Sequence, residues 1–318
     1  MTVCVAGIAE KGILVGASDR MLTAGDVEFE PDQSKIWTFS ASIVALVSGD
    51  AGIQSDLLKE VEKQVRLWIN KDPKEWVRVR DVVDLYCKEY RLLLRKRAES
   101  ALLYPLGLTL ESFLAKQKEM SPELVIGLSD KLSTFEMAEE AQTIFMGMDN
   151  DGPVGVSGEK LNYAQLYVLD RDKFSWATTV GFAAIGIGKF HAESQFMIAG
   201  HSPSRPFHET VFQTYAAKKR AEVAPGVGKF TDMVVIGPGL GSLLKIEDKH
   251  IQGLDEIYQR YIVSTSRITK RTLDKVKGYV ETVKADYSAR AEEQKREQSA
   301  NKNSGEQGPQ AEEKKNPG

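Results

Sequence analysis

The chain has 318 residues, 42% of them hydrophobic, and a formal net charge of −3. That balance suits one large folded domain or two ordinary ones, and no basic excess calls for nucleic acid or an anionic membrane as partner. Two cysteines, Cys4 and Cys87, give neither a disulfide framework nor a four-ligand metal site, and no run reaches the ~18 apolar residues of a membrane span.

The opening Met1-Thr2-Val3-Cys4-Val5-Ala6-Gly7 lacks the basic start and apolar core of a secretory signal, so a cytoplasmic protein is expected. Residues 3–8 are rich in β-branched side chains and read as a strand. Glu10-Lys11-Gly12 is a turn signal, and 13–17 is a second short apolar run, closed by Asp19. Residues 35–39 alternate in polarity and 43–47 are continuously apolar. These four short strands point to an antiparallel sheet.

The pattern then turns helical. Ile53, Leu57, Leu58, Val61, Val65 and Trp68 recur at helical spacing, until Asp72-Pro73 breaks the run. A second helix is expected over 79–97 and a helical insertion over about 100–130. Strands return at 143–148, 166–169 and 174–179. Residues 182–188 lead into a helix over 190–197, and another helix covers 207–221. Strands at 231–236 and 243–246 end a domain expected to span 2–250. A polar helical extension follows over 251–293. Residues 294–318 hold almost no apolar side chain and are expected to be disordered. Strands come in blocks rather than alternating one-for-one with helices, which predicts an α+β fold.

A threonine hydroxyl is a weak nucleophile without a base beside it. At a chain terminus the residue's own α-amine, with an unperturbed pKa of about 7.7–8.0, is such a base. Thr2 qualifies once Met1 is removed. A lysine near the hydroxyl favours negative charge on its oxygen, a carboxylate holds that lysine, and a glycine N–H can stabilise a tetrahedral oxyanion. Asp19, Lys35 and Gly49 lie at strand ends or turns of the same predicted sheet. Taken singly they also read as a turn cap, a solvated edge residue and a close-packing glycine. His191, His201, His208 and His250 lack metal-ligand spacing. Cys4 reads as a buried strand residue. No cofactor or metal is expected.

The order of these motifs resembles the proteasome β-type subunits and their bacterial relatives, above all the ancestral β subunits. It is carried by Thr2-Val3-Cys4-Val5-Ala6-Gly7, Ser18-Asp19-Arg20-Met21-Leu22-Thr23, Ser34-Lys35-Ile36-Trp37 and Val47-Ser48-Gly49-Asp50-Ala51. The later Thr231-Asp232-Met233-Val234-Val235-Ile236 fits as well, so that the likeness spans roughly residues 2–246. It implies a four-layer αββα sandwich of the N-terminal-nucleophile hydrolase type, with a C-terminal helix appended. Thr2 resembles the nucleophile, Asp19 and Lys35 the pair that tunes it, Gly49 the oxyanion glycine, and Thr23 the residue whose backbone pairs with an extended substrate. Peptide or unfolded-protein substrates and a homo-oligomeric ring or spiral follow from the same likeness, with neither nucleic acid nor membrane as partner.

Two departures stand out. Where the family has a Gly-Ser-Gly, this chain has Gly186-Ile187-Gly188. Where an Asp and a Ser usually precede the last strands, it has Ala224-Pro225-Gly226-Val227-Gly228. These losses leave open an inactive structural or interaction protein, or a small-molecule amidase of the same fold.

Overall fold

The computed structural model describes residues 2–24, 27–71, 76–150 and 163–304. The chain divides into two compact units, Met1–Asp255 and Glu256–Gly318. In the first, β1 (Val3–Ile8) and β2 (Leu14–Asp19) form a hairpin. A short hairpin of β3 (Leu22–Ala24) and β4 (Val27–Phe29) follows, then β5 (Ile36–Ser40) and β6 (Ile43–Gly49). Next come α1 (Ala51–Lys71), α2 (Val79–Leu102), α3 (Leu110–Lys116) and α4 (Pro122–Ser133). The chain returns to strand in β7 (Ala141–Asp149), β8 (Tyr163–Asp170), β9 (Lys173–Trp176) and β10 (Phe182–Gly186). Helices α5 (Lys189–Ile198) and α6 (Phe207–Ala221) lead to β11 (Thr231–Ile236), β12 (Leu243–Ile246) and α7 (Asp248–Ser304).

The architecture is α+β, as the strand blocks predict. One five-stranded sheet has the order β10-β1-β2-β11-β12 and the other β5-β6-β7-β8-β9, with every pairing antiparallel. Strand alternation explains why the central strands are apolar on both faces. In β1, Val3 and Val5 join a core with Ala192 and Phe196 of α5 and Ala217 of α6, while Cys4, Ala6 and Ile8 face the other way. These last three meet Val44 and Leu46 of β6 and Ile144 and Met146 of β7. The opposite sides of β6 and β7, at Ile43, Ala45 and Phe145, pack against Leu57, Val61, Tyr86 and Tyr90 of α1 and α2. Each sheet therefore buries one face against the other sheet and the other face against a helix pair.

The expected insertion is two helices, α3 and α4, each started by a side-chain cap. Thr109 accepts from the Ser112 N–H at 3.1 Å, and Ser121 accepts from the Leu124 N–H at 3.3 Å, with Pro122 following. Their small core is Leu103, Phe113 and Leu128. The β3–β4 hairpin was not anticipated, because three-residue strands are too short to show a period. The connection between β7 and β8, residues 151–162, lies outside the described residues. Among the described residues, no helix is long and apolar enough to cross a membrane.

Within the first unit, the start of α7 is tied down where the Tyr215 hydroxyl donates to the Asp255 carboxylate at 2.7 Å. The described part of the second unit, Glu256 to Ser304, is helical throughout. It exposes Ile257, Ile268, Leu273 and Tyr279. The helix passes the expected boundary at 293 and reaches Ser304. Gln, Lys, Arg, Glu and Ala are good helix formers, so the helix propagates there without an apolar face. Residues 305–318 lie outside the described residues.

Candidate active site

The sequence pattern predicts one sheet for the four catalytic candidates, but they come two from each: Thr2 and Asp19 from the first, Lys35 and Gly49 from the second. Thr2 directly precedes β1, and Asp19 ends β2. The register Cys4↔Ser18 sets these two strand ends side by side. In the other sheet, Lys35 directly precedes β5 and Gly49 ends β6. Packing the two sheets face to face brings these strand ends together around one cleft of about 350 Å³. Thr2, Thr23, Lys35, Trp37 and Gly49 line it. Asp19 is fully buried beneath it.

The bonding among them is dense. The Lys35 ammonium donates to the Thr2 hydroxyl oxygen, to Asp19 Oδ1 at 2.9 Å and to the Met21 carbonyl. The Thr2 hydroxyl donates to Asp19 Oδ1, and the Val3 N–H reaches the same oxygen at 3.2 Å. The other carboxylate oxygen, Oδ2, accepts the Gly228 N–H at 2.8 Å. Asp19 thus has its charge matched by one ammonium and its lone pairs taken by donors, the condition under which a carboxylate tolerates burial. A positive group on the Thr2 oxygen opposes the cost of negative charge there.

Gly49 has a backbone reason to be glycine. Its φ is +106°, and a Cβ added to it would lie 2.1 Å from the Glu140 carbonyl oxygen. The direction of its N–H follows from the strand. Val47 donates its N–H to the Lys35 carbonyl at 3.1 Å, on the β5 side. Alternation sends the Gly49 N–H to that same side, at the level where β5 has not yet begun. At the other end of the same trans peptide, the Ser48 carbonyl is held by Gln54 Nε2 at 3.0 Å. Gln54 in turn belongs to a buried network with Tyr86 and Thr143. Asp50 starts α1 by accepting the Ile53 N–H at 2.8 Å.

Thr23 lies in the middle of β3, paired with Glu28 of β4. Its hydroxyl is buried without a hydrogen-bond partner. Among the described residues, β3 pairs with β4 alone, so its second edge faces no strand. Cys4 is fully buried with its thiol on the Val47 carbonyl at 3.3 Å, and burial pushes its pKa far up. A thiol held in that state is inert. The segment 186–188 supplies no hydroxyl. Gly186, at φ +86°, lies so close to Thr2 that a Cβ there would meet the Thr2 carbonyl oxygen at 2.3 Å and Ser48 Oγ at 2.9 Å.

Three residues escaped the sequence reading: Gln54, Gly228 and Lys218. Gln54 fell on the inward side of a helix among apolar residues. Gly228 reads as one loop glycine among several. Lys218 stands in the run Lys218-Lys219-Arg220 near the end of α6, which looks like a solvated helix terminus. No local signal marks it as buried. No protein-family model matches the chain, and no curated protein matches it.

Proposed function

We propose that the chain is a threonine-type N-terminal-nucleophile hydrolase that cleaves peptide bonds. The single observation that carries this reading is the Thr2 hydroxyl lodged between the Lys35 ammonium and the Asp19 carboxylate on the wall of an open cleft. The two sheets with their helix pairs are read as the four-layer αββα sandwich of that class.

Removal of Met1 frees the Thr2 α-amine. The amine takes the hydroxyl proton as Oγ1 attacks the substrate carbonyl carbon, and the Lys35 ammonium offsets the charge developing on Oγ1. The carbonyl oxygen of the tetrahedral intermediate is stabilised by the Gly49 N–H. Collapse breaks the C–N bond, and the departing amine receives the proton held by the Thr2 ammonium. An ester remains on Oγ1. Water then attacks the ester with the amine again as base, releasing the acid and restoring Thr2. An extended peptide fits the open edge of β3 at Thr23 by strand addition. Self-assembly into a ring or spiral and a cytoplasmic location belong to the same proposal.

The test is the intact mass of the purified protein before and after an electrophile that captures N-terminal threonines. Loss of Met1 and one adduct on Thr2, absent in Thr2→Ala, are expected together with peptide hydrolysis. Retained Met1 in protein from its native host sinks the reading. The absence of hydroxyls at Ile187 and Gly228 favours a second reading, an inert structural protein of the same fold. A free Thr2 that forms no adduct decides for it.

A further inference from the structure

Behind the cleft lies a second buried ammonium that the reaction above does not use. Lys218 sits on α6, which packs against β1 and β2. Its side chain has no exposed surface. Its Nζ donates to Glu222 Oε1 at 2.6 Å, to the Gly228 carbonyl at 2.8 Å and to the Lys229 carbonyl at 2.9 Å. Three N–H bonds meet three acceptors, which is all an ammonium can offer.

Burying an ammonium is unfavourable even when it is paired, and an apolar side chain of similar length would fill the same space. The residue it holds supplies a reason. The Gly228 carbonyl is gripped by Lys218, and the Gly228 N–H is the donor to Asp19 Oδ2 at 2.8 Å. A carboxylate is rigid and planar, so fixing Oδ2 fixes where Oδ1 points. Oδ1 is the atom that meets the Thr2 hydroxyl and Lys35. A neighbouring clamp acts in the same direction: Glu30 Oε1 accepts the Phe230 N–H at 3.1 Å and stands 1.9 Å from where a Gly228 Cβ would be.

We infer that Lys218 is a positioning residue for the site, gripping the Gly228 and Lys229 carbonyls so that the Gly228 N–H stays on Asp19 and aims that carboxylate at Thr2 and Lys35. A backbone N–H anchored by a buried lysine thus gives the site a support where residues 224–228 offer no hydroxyl. The effect on Thr2 reactivity rests on the hydrolase reading, whereas the effect on the loop does not.

The experiment compares the full chain with Lys218→Met by two readouts. One is amide hydrogen exchange of the peptide carrying Gly228. The other is the saturation kinetics of Thr2 modification by the threonine-capturing electrophile. Exchange at Gly228 is expected to quicken by about a hundredfold or more as its carbonyl grip is lost. The maximal modification rate is expected to fall about tenfold or more, with the half-saturating concentration within about twofold. That split separates aiming of the nucleophile from collapse of the cleft, which raises the half-saturating concentration as well. A cooperatively folded Lys218→Met with wild-type exchange and rate overturns the inference. A wild-type protein that forms no adduct sinks the hydrolase reading, and the exchange readout alone then decides the role of Lys218. Should Lys218→Met fail to fold, Glu222→Gln replaces it. Glu222→Gln removes the carboxylate that holds the Lys218 Nζ at 2.6 Å and so loosens its grip on the two carbonyls, and both effects are expected with the same sign at about fivefold; no change in either overturns the inference.

Discussion

Two lysines of this protein are nearly or wholly enclosed, and each meets a carboxylate on different terms. Lys35 keeps 10% of its side chain exposed to an open cleft and shares Asp19 with a threonine hydroxyl. Lys218 keeps none, and two of its three bonds go to backbone carbonyls. The first charge faces an open cleft. The second faces only the fold. The contrast teaches that burial and pairing do not by themselves mark a reactive lysine. What distinguishes the two is whether the partner lies on a cavity wall or inside the backbone scaffold.

The sharpest way to break this contrast is Lys35→Met. Among the described residues it removes the only ammonium bonded to Asp19 and leaves a carboxylate with 0% exposure, so stability is expected to drop by about 3 kcal/mol in urea unfolding. Modification of Thr2 is expected to slow by about 10²–10³-fold in the protein that remains folded. If rate and stability both stay at wild type, Lys35 is a spectator. Gly49→Ala probes the backbone wall of the same cleft. The new Cβ meets the Glu140 carbonyl at a φ of +106°, and a loss of roughly 2–4 kcal/mol is expected, seen as a shift in the denaturant midpoint.

A gentler test uses pH. Burial pulls the Lys218 pKa below the ordinary lysine value of 10.5, against the opposing pull of Glu222. The unfolded chain therefore binds this proton more tightly than the folded one. Between the lowered folded value and 10.5, stability gained from Lys218 rises with pH, and it is least below that window. The difference in unfolding free energy between wild type and Lys218→Met should carry that slope, and a flat difference refutes it. The smallest effect is expected on α7, where Ile268 is 64% exposed. Ile268→Glu should alter thermal stability by no more than about 0.5 kcal/mol and leave Thr2 modification unchanged.

Much of the fold was legible in the sequence. Helix α6 and strands β1, β11 and β12 lie where the pattern predicts them, because apolar period and turn residues act within a few positions. β2 starts one residue later and runs on to Asp19, since its end is set by pairing with Thr231 of β11. The hairpin of β3 and β4 left no period to read, and α7 runs past the predicted boundary because helix propensity needs no apolar face. Of the candidate site, Thr2, Asp19, Lys35, Gly49 and Thr23 were all nameable from motif order, and the structure gathers them at one cleft. Gln54, Gly228 and Lys218 were not.

By itself the sequence determined the α+β class, the order of strand and helix blocks, and which hydroxyl, ammonium, carboxylate and glycine stand at strand ends. Those are local properties, fixed by side-chain alternation and turn chemistry. Only the tertiary structure decided which oxygen of Asp19 meets which donor, which way the Gly49 N–H points, and that Lys218 lies inside rather than in water. Gly228 and Asp19 are 209 positions apart. No pattern of neighbouring residues specifies a bond across that distance. It forms because strands β2 and β11 pair and α6 packs over β1 and β2, and that arrangement leaves an ammonium at Lys218 as the donor that holds the loop in place.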